Sequence, residues 1–171
     1  MDADSYRRST MTGEQQVQHD EVYGALARAT RGLVEATVLT EVDHEEARKV
    51  TAEVEALAER LRTRARSTPL GIEVGEDGHT RAHGNAVIGL RNPVAPPLHI
   101  ERTPDGKAWS TFHLGPQYEG PPGLVHGGVS ALLLDQLCGE AAAAGGSPGF
   151  SLHFHAGRAG SPTRHMVRAR A

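Results

Sequence analysis

The stretch from Gly127 to Ala144 constrains this chain more than any other. It opens with Gly127-Gly128, runs through Val129, Leu132, Leu133, Leu134, Leu137 and a block of alanines, and stops at Gly145-Gly146. Leucine and alanine are strong helix formers, and a closing glycine takes the left-handed conformation that ends a helix. Apolar residues surround most of the circumference, which predicts a buried helix. Asp135, Gln136 and Glu140 interrupt the run, and a membrane span needs about 20 mostly apolar residues, so it is no span. In a chain of 171 residues, short hairpin strands are what remains to cover such a helix. The expected fold is α+β, with a curved antiparallel sheet wrapped around a central helix.

The strands are sought between Ser67 and Leu114. Ala86 to Leu90 reads as a short strand, and Arg91 to Pro97 is too proline-rich for a regular element. Leu98 to Thr103 and Lys107 to Leu114 flank Pro104-Asp105-Gly106. Proline presets φ, Asp bonds locally and Gly accepts positive φ, so this is a hairpin. Gly115 to Val125, with three prolines, is a loop. Upstream the texture differs. Glu14 to Arg66 contains no proline and is rich in Ala, Glu and Arg. Val22, Leu26 and Leu33, and then Val50, Val54, Leu57 and Leu61, recur at helical intervals. Two helices are expected, broken near Val38 to Thr40, with Thr40-Glu41-Val42-Asp43 as a capping box for the second. The division is residues 1–13 disordered, 14–66 a helical extension and 67–171 the main domain.

Charge and cysteine content narrow the function classes. The 18 basic and 21 acidic residues leave a net charge of -3, with no basic surplus to attract nucleic acid. Cys138 is the single cysteine, which excludes an internal disulfide framework. No secretory signal pattern opens the chain, and a cytoplasmic protein is expected.

Chemistry concentrates where the loop becomes the buried helix. Glycines 127 and 128 let another group approach the backbone, and first-turn amides are unpaired and favoured by the helix dipole. Such a start can polarise a carbonyl, although tight packing also explains paired glycines. Asp135 falls among apolar neighbours, where an unpaired carboxylate is costly. It is either bonded to backbone or an Arg, or kept as a nucleophile or general base. From Gly127 to Asp135 is about 12 Å along the helix at 1.5 Å per residue. Both act on one atom only if two such helices lie antiparallel, which a two-fold dimer supplies.

Three segments together resemble the hotdog-fold thioesterases: Asn92-Pro93-Val94-Ala95-Pro96-Pro97-Leu98, Tyr118-Glu119-Gly120-Pro121-Pro122-Gly123, and His126-Gly127-Gly128 with Asp135 nine residues after the histidine. The nearest group is the acyl-CoA thioesterases of the phenylacetate-pathway and thioesterase-superfamily-member type, over roughly residues 86–151. The resemblance implies hydrolysis of an acyl-CoA with no cofactor and no metal, in a homodimer or dimer of dimers. It implies that the Gly127 amide polarises the thioester carbonyl, that Asp135 of the facing subunit attacks or activates water, and that His126 positions. It further implies Gly128, Asn92 and Ser151 in substrate binding. The family continues with about three long strands after the helix, whereas here only Leu152 to His155 reads as a strand. A hotdog domain incomplete at its C-terminus is therefore expected, with 152–171 an atypical tail, as in a truncated or frame-shifted member.

Other signals carry less. His153 and His155 share a strand face, but no carboxylate lies between Phe150 and Ala171, so metal is not expected there. Ser130 lacks the glycine a nucleophile elbow needs, because Leu132 occupies that position. Cys138 reads as a small core residue. Gly71 to Gly78 is acidic and has no phosphate-binding lysine. The rival readings are a catalytically dead hotdog copy, a helical interaction module at 14–66, and a hotdog hydratase.

Overall fold

The Pro104-Asp105-Gly106 turn forms as its chemistry predicts: Gly106 takes φ 78°, and its amide donates to the Thr103 carbonyl at 3.1 Å. A computed structural model describes residues 6–96, 98–146, 151–153 and 164–170. In chain order these form β1 (Tyr6–Arg8), α1 (Gly13–Leu39), α2 (His44–Arg62), β2 (Ile72–Val74), β3 (Thr80–Arg81), β4 (Ile100–Thr103), β5 (Lys107–His113), α3 (Gly127–Gly145), β6 (Ser151–His153) and β7 (Arg164–Arg170). A three-stranded sheet has the order β1-β2-β3, and a four-stranded antiparallel sheet has the order β4-β5-β7-β6. The helix α3 packs across β4, β5 and β7. The architecture is mixed α+β and consistent with a hotdog arrangement.

The core lies between α3 and β5. Ala108, Ser110 and Phe112 alternate inward along β5, and Leu133, Leu137, Cys138 and Ala141 form the matching face of α3. Leu114, Val87 and Tyr118 close the cluster. Arg102 on β4 meets Glu140 on α3 with two nitrogens at 2.7 Å, and Gln136 donates to the same carboxylate at 2.8 Å. Gly146 ends α3 at φ 60°.

Several expectations are corrected. Ala86 to Leu90 is a series of turns, because the Asn85 side chain accepts from the amides of Val87 and Ile88 at 2.7 and 3.0 Å. An Asx turn of this kind competes with strand pairing for the same donors. Thr40 terminates α1 rather than opening a capping box, and Asp43 caps α2 by accepting from Glu45 and Glu46. The capping box of this chain lies at Thr12 and Gln15. Residues 6–8, expected to be disordered, form a strand that pairs in parallel with β2. The tail, expected to hold no strand beyond His155, contributes β7, which pairs with β5 over seven residues and with β6 on its other edge.

Most of the large apolar residues on the two N-terminal helices are exposed. On α1 the inward positions are Gln16, Gly24 and Ala27, while Val22 and Leu26 are exposed. Gly24 allows Leu90 to approach: a Cβ there would lie 3.1 Å from Leu90 Cδ1. Arg31 donates to the carbonyls of Ala95 and Asn92, and Arg91 lies 3.8 Å from the centre of the Tyr23 ring. So α1 is bonded to the 83–96 loop, whereas α2 has no buried residue among those described. Among the described residues no helix is long and apolar enough to cross a membrane.

Truncating Leu137, which is fully buried, to alanine is expected to cost about 2–5 kcal/mol in urea denaturation. Val22→Ala, on the exposed side of α1, is expected to change stability by less than about 0.5 kcal/mol.

Candidate functional site at the start of the third helix

A folded loop sets the direction from which α3 begins. After a short 3-10 turn at Pro116–Tyr118, Glu119 pairs with Val125, and the Gly120 amide donates to the Leu124 carbonyl at 2.8 Å. Gly123 turns the chain at φ 74°, and its amide donates to the Glu119 carboxylate. The Tyr118 hydroxyl donates to the Val94 carbonyl at 2.8 Å, and burial pushes its pKa up, so it stays a donor. The Tyr118 carbonyl in turn accepts the His126 amide at 2.9 Å. Two of the sequence segments singled out above, the proline-rich run and the Tyr118 loop, thus meet directly beneath the helix start.

His126 is the N-cap of α3. Its Nδ1 accepts the Gly128 amide at 3.1 Å, which consumes the lone pair of Nδ1 and leaves Nε2 as the protonated nitrogen of the neutral ring. An imidazole in that tautomer offers an N–H donor to an incoming group. The His126 carbonyl accepts from Val129 and Ser130. The Gly127 amide is different: no acceptor among the described residues takes it, and a Cβ at Gly127 would meet nothing within 4 Å. An untaken amide at a helix start can polarise a carbonyl oxygen.

Asp135 stands elsewhere than expected. It is exposed, and no hydrogen bond or ion pair among the described residues engages its carboxylate. The reason is that α3 is covered on one side only, leaving Gly128, Leu132, Asp135 and Gly139 as an exposed stripe at helical spacing. Cys138, buried behind this stripe, has its thiol pushed up by burial and then by the Asp135 charge, which makes it a poor nucleophile.

The remaining predicted residues divide. Gly128 lies at the site, its amide held by His126. Asn92 does not offer a free amide: its nitrogen donates to the carbonyls of Gly84 and Asn85, and its oxygen accepts from Val94. It shapes the loop under Tyr118 rather than facing a ligand. Ser151 opens β6 opposite Arg170, and its side chain lies outside the described residues. His155 also lies outside them. In the sequence Gly120 is one glycine of the Tyr118–Gly123 motif, and in the fold a Cβ there would sit 2.7 Å from the His126 Cα. That glycine lets the loop lie flat against the capping residue.

Among solved structures, the chain is similar to a crystal structure described as a thioesterase superfamily protein. The two are 33% identical, over 78% of this chain and 68% of that one, with a TM-score of 0.64. No family model matches the chain, and neither does any curated protein.

Gly120→Ala is expected to destabilise the chain by about 1–3 kcal/mol, since two backbones must separate to admit the methyl group. Gly127→Ala, which meets open space, is expected to stay within about 0.5 kcal/mol of wild type in the same denaturation assay.

Proposed function

The chain belongs to the thioesterase superfamily, and on that premise we propose that it hydrolyses an acyl-CoA thioester to the free acid and CoA. The observation that carries the reading is the untaken Gly127 amide on a helix whose exposed stripe holds the unpaired Asp135. In the proposed reaction the thioester oxygen accepts from Gly127, with His126 Nε2 as a second donor. Asp135 either takes a proton from the water that adds to the carbonyl carbon or adds itself, forming an anhydride that water then opens. The C–S bond breaks, and the thiolate leaves to be protonated as free CoA.

Asp135 and Gly127 of one chain stand about 12 Å apart along their helix. The site is therefore read as shared, with Asp135 of one copy facing Gly127 of a second across a two-fold axis. Gly128 and Gly139 on the exposed stripe support this, since small residues let two helix backbones approach. The hotdog domain is read as residues 67–171, with 14–66 as its helical extension.

The two catalytic groups can be removed separately. Asp135→Asn is expected to lower thiol release from a panel of acyl-CoAs by about 10²–10⁴-fold. Gly127→Pro deletes only the amide, because proline is accepted at the first helical position and His126 already has the extended ψ of 133° that a following proline demands. It is expected to cost about 10²–10³-fold, as for loss of one oxyanion donor. Unfolding and refolding the two variants together is expected to restore about a quarter of wild-type activity, because half the dimers then hold one intact site of two. No recovery on mixing, or full activity in Asp135→Asn, overturns the reading.

A further inference from the structure

In the N-terminal half of α1, His19 and Asp20 meet His83 from the loop that follows β3. One ligand atom from each lies within 4.8 Å of the others. His19 Nδ1 is 3.4 Å and His83 Nε2 is 3.6 Å from Asp20 Oδ1. Ligands held at 2.0–2.2 Å in a tetrahedral zinc site stand about 3.3 Å apart, so these separations match two edges of such a site. From this convergence we propose that His19, Asp20 and His83 form a binding site for a divalent metal ion of the zinc class, separate from the α3 site.

The strongest support is an orphaned atom. His83 is 6% exposed, and its Nε2 has no hydrogen-bond partner among the described residues. A buried polar atom without a partner in a native fold calls for a missing one. Asp20 Oδ1 does not supply it, since at 3.6 Å it lies beyond hydrogen-bond distance. The carboxylate is oriented as a ligand would be. Gln16 donates to Oδ1 at 2.9 Å, His19 Nδ1 lies 3.4 Å from the same oxygen, and Arg81 Nε approaches Oδ2 at 3.4 Å. His19 is braced by the Tyr23 ring at 4.6 Å.

Both histidines line a cavity of about 120 Å³, ample for the water of a fourth position, which needs roughly 15 Å³. Four arginines also line it, of which Arg66 is exposed and has no ion pair among the described residues. Arg81 pairs with Asp77 at 2.7 Å, Arg7 with Glu73 at 3.6 Å, and Arg91 lies over Tyr23. The two imidazoles and the carboxylate of the His-Asp-His cluster are donors that suit a cation of borderline softness.

The test is zinc binding to the purified, chelator-stripped chain, by equilibrium dialysis with metal analysis, and by the visible spectrum of the cobalt-substituted form. One retained equivalent and a tetrahedral cobalt spectrum are expected. His83→Ala is expected to weaken binding by more than about 100-fold, the upper end of what a lost outer-shell contact costs. Asp20→Asn keeps the size of the side chain and the bond from Gln16, so it guards against misfolding of the histidine variant, and the same weakening is expected. His79→Ala, removing an exposed histidine on the β2-β3 turn, is expected to bind like wild type. Failure to retain zinc, or unchanged binding in Asp20→Asn, overturns the proposal. So does a rise in Tm with inorganic phosphate and none with zinc, which would make the cavity an anion site.

Discussion

The packing of Leu133, Leu137 and Ala141 against the inward residues of β5 is the contact on which the rest of the architecture depends. Leu137 and Ala141 are fully buried and Leu133 nearly so, and they face Ala108, Ser110 and Phe112. Spacing by four keeps the three on one face, so their burial sets the rotation of the whole helix. Asp135 lies two residues from both leucines, about 200° round the axis, and is necessarily turned away from the sheet. The same rotation leaves Gly128 and Gly139 outward. A carboxylate that solvation would favour and two glycines thus share the uncovered side, Gly128 beside the His126 ring and Gly139 with nothing near its Cβ position.

The helix start is held from below by a second set of contacts. Asn92 folds the proline-rich loop, Val94 accepts from Tyr118, and Tyr118 accepts from His126. Arg31 bonds the same loop to α1 through the Ala95 and Asn92 carbonyls. The N-terminal helix is therefore connected, through this loop, to the start of α3. Its buried residues, Gln16, Gly24 and Ala27, carry little apolar bulk, and at Gly24 the helix lies close against Leu90 of the 83–91 loop.

Local signals were the legible ones. The hairpin at Pro104 to Gly106 and the glycine stop of α3 depend on the φ preferences of a few residues, so adjacent sequence suffices to read them. Asn85 illustrates the opposite case: its side chain captures two amides and converts an apolar run into turns, an outcome β-propensity does not contain. The strand Arg164–Arg170 shows no apolar period because three arginines and a histidine interrupt it. It is a strand because both its edges are hydrogen-bonded, to β5 and to β6. The His19-Asp20-His83 cluster was invisible for a related reason, as 63 residues separate its two halves.

What the amino-acid order determined alone is the position and length of α3, the glycine-bearing turn before it, and the spacing that puts an acid about two turns beyond a free amide. These are properties of consecutive residues, governed by helix periodicity and by unpaired first-turn donors. Only the tertiary structure decided which side of that helix meets the sheet, and hence that Asp135 is exposed. It likewise decided that Asn92 is a scaffold and that α1 faces inward with its polar residues. Those outcomes follow from which surfaces bury together, a choice made between segments far apart in the chain, so no local pattern encodes it.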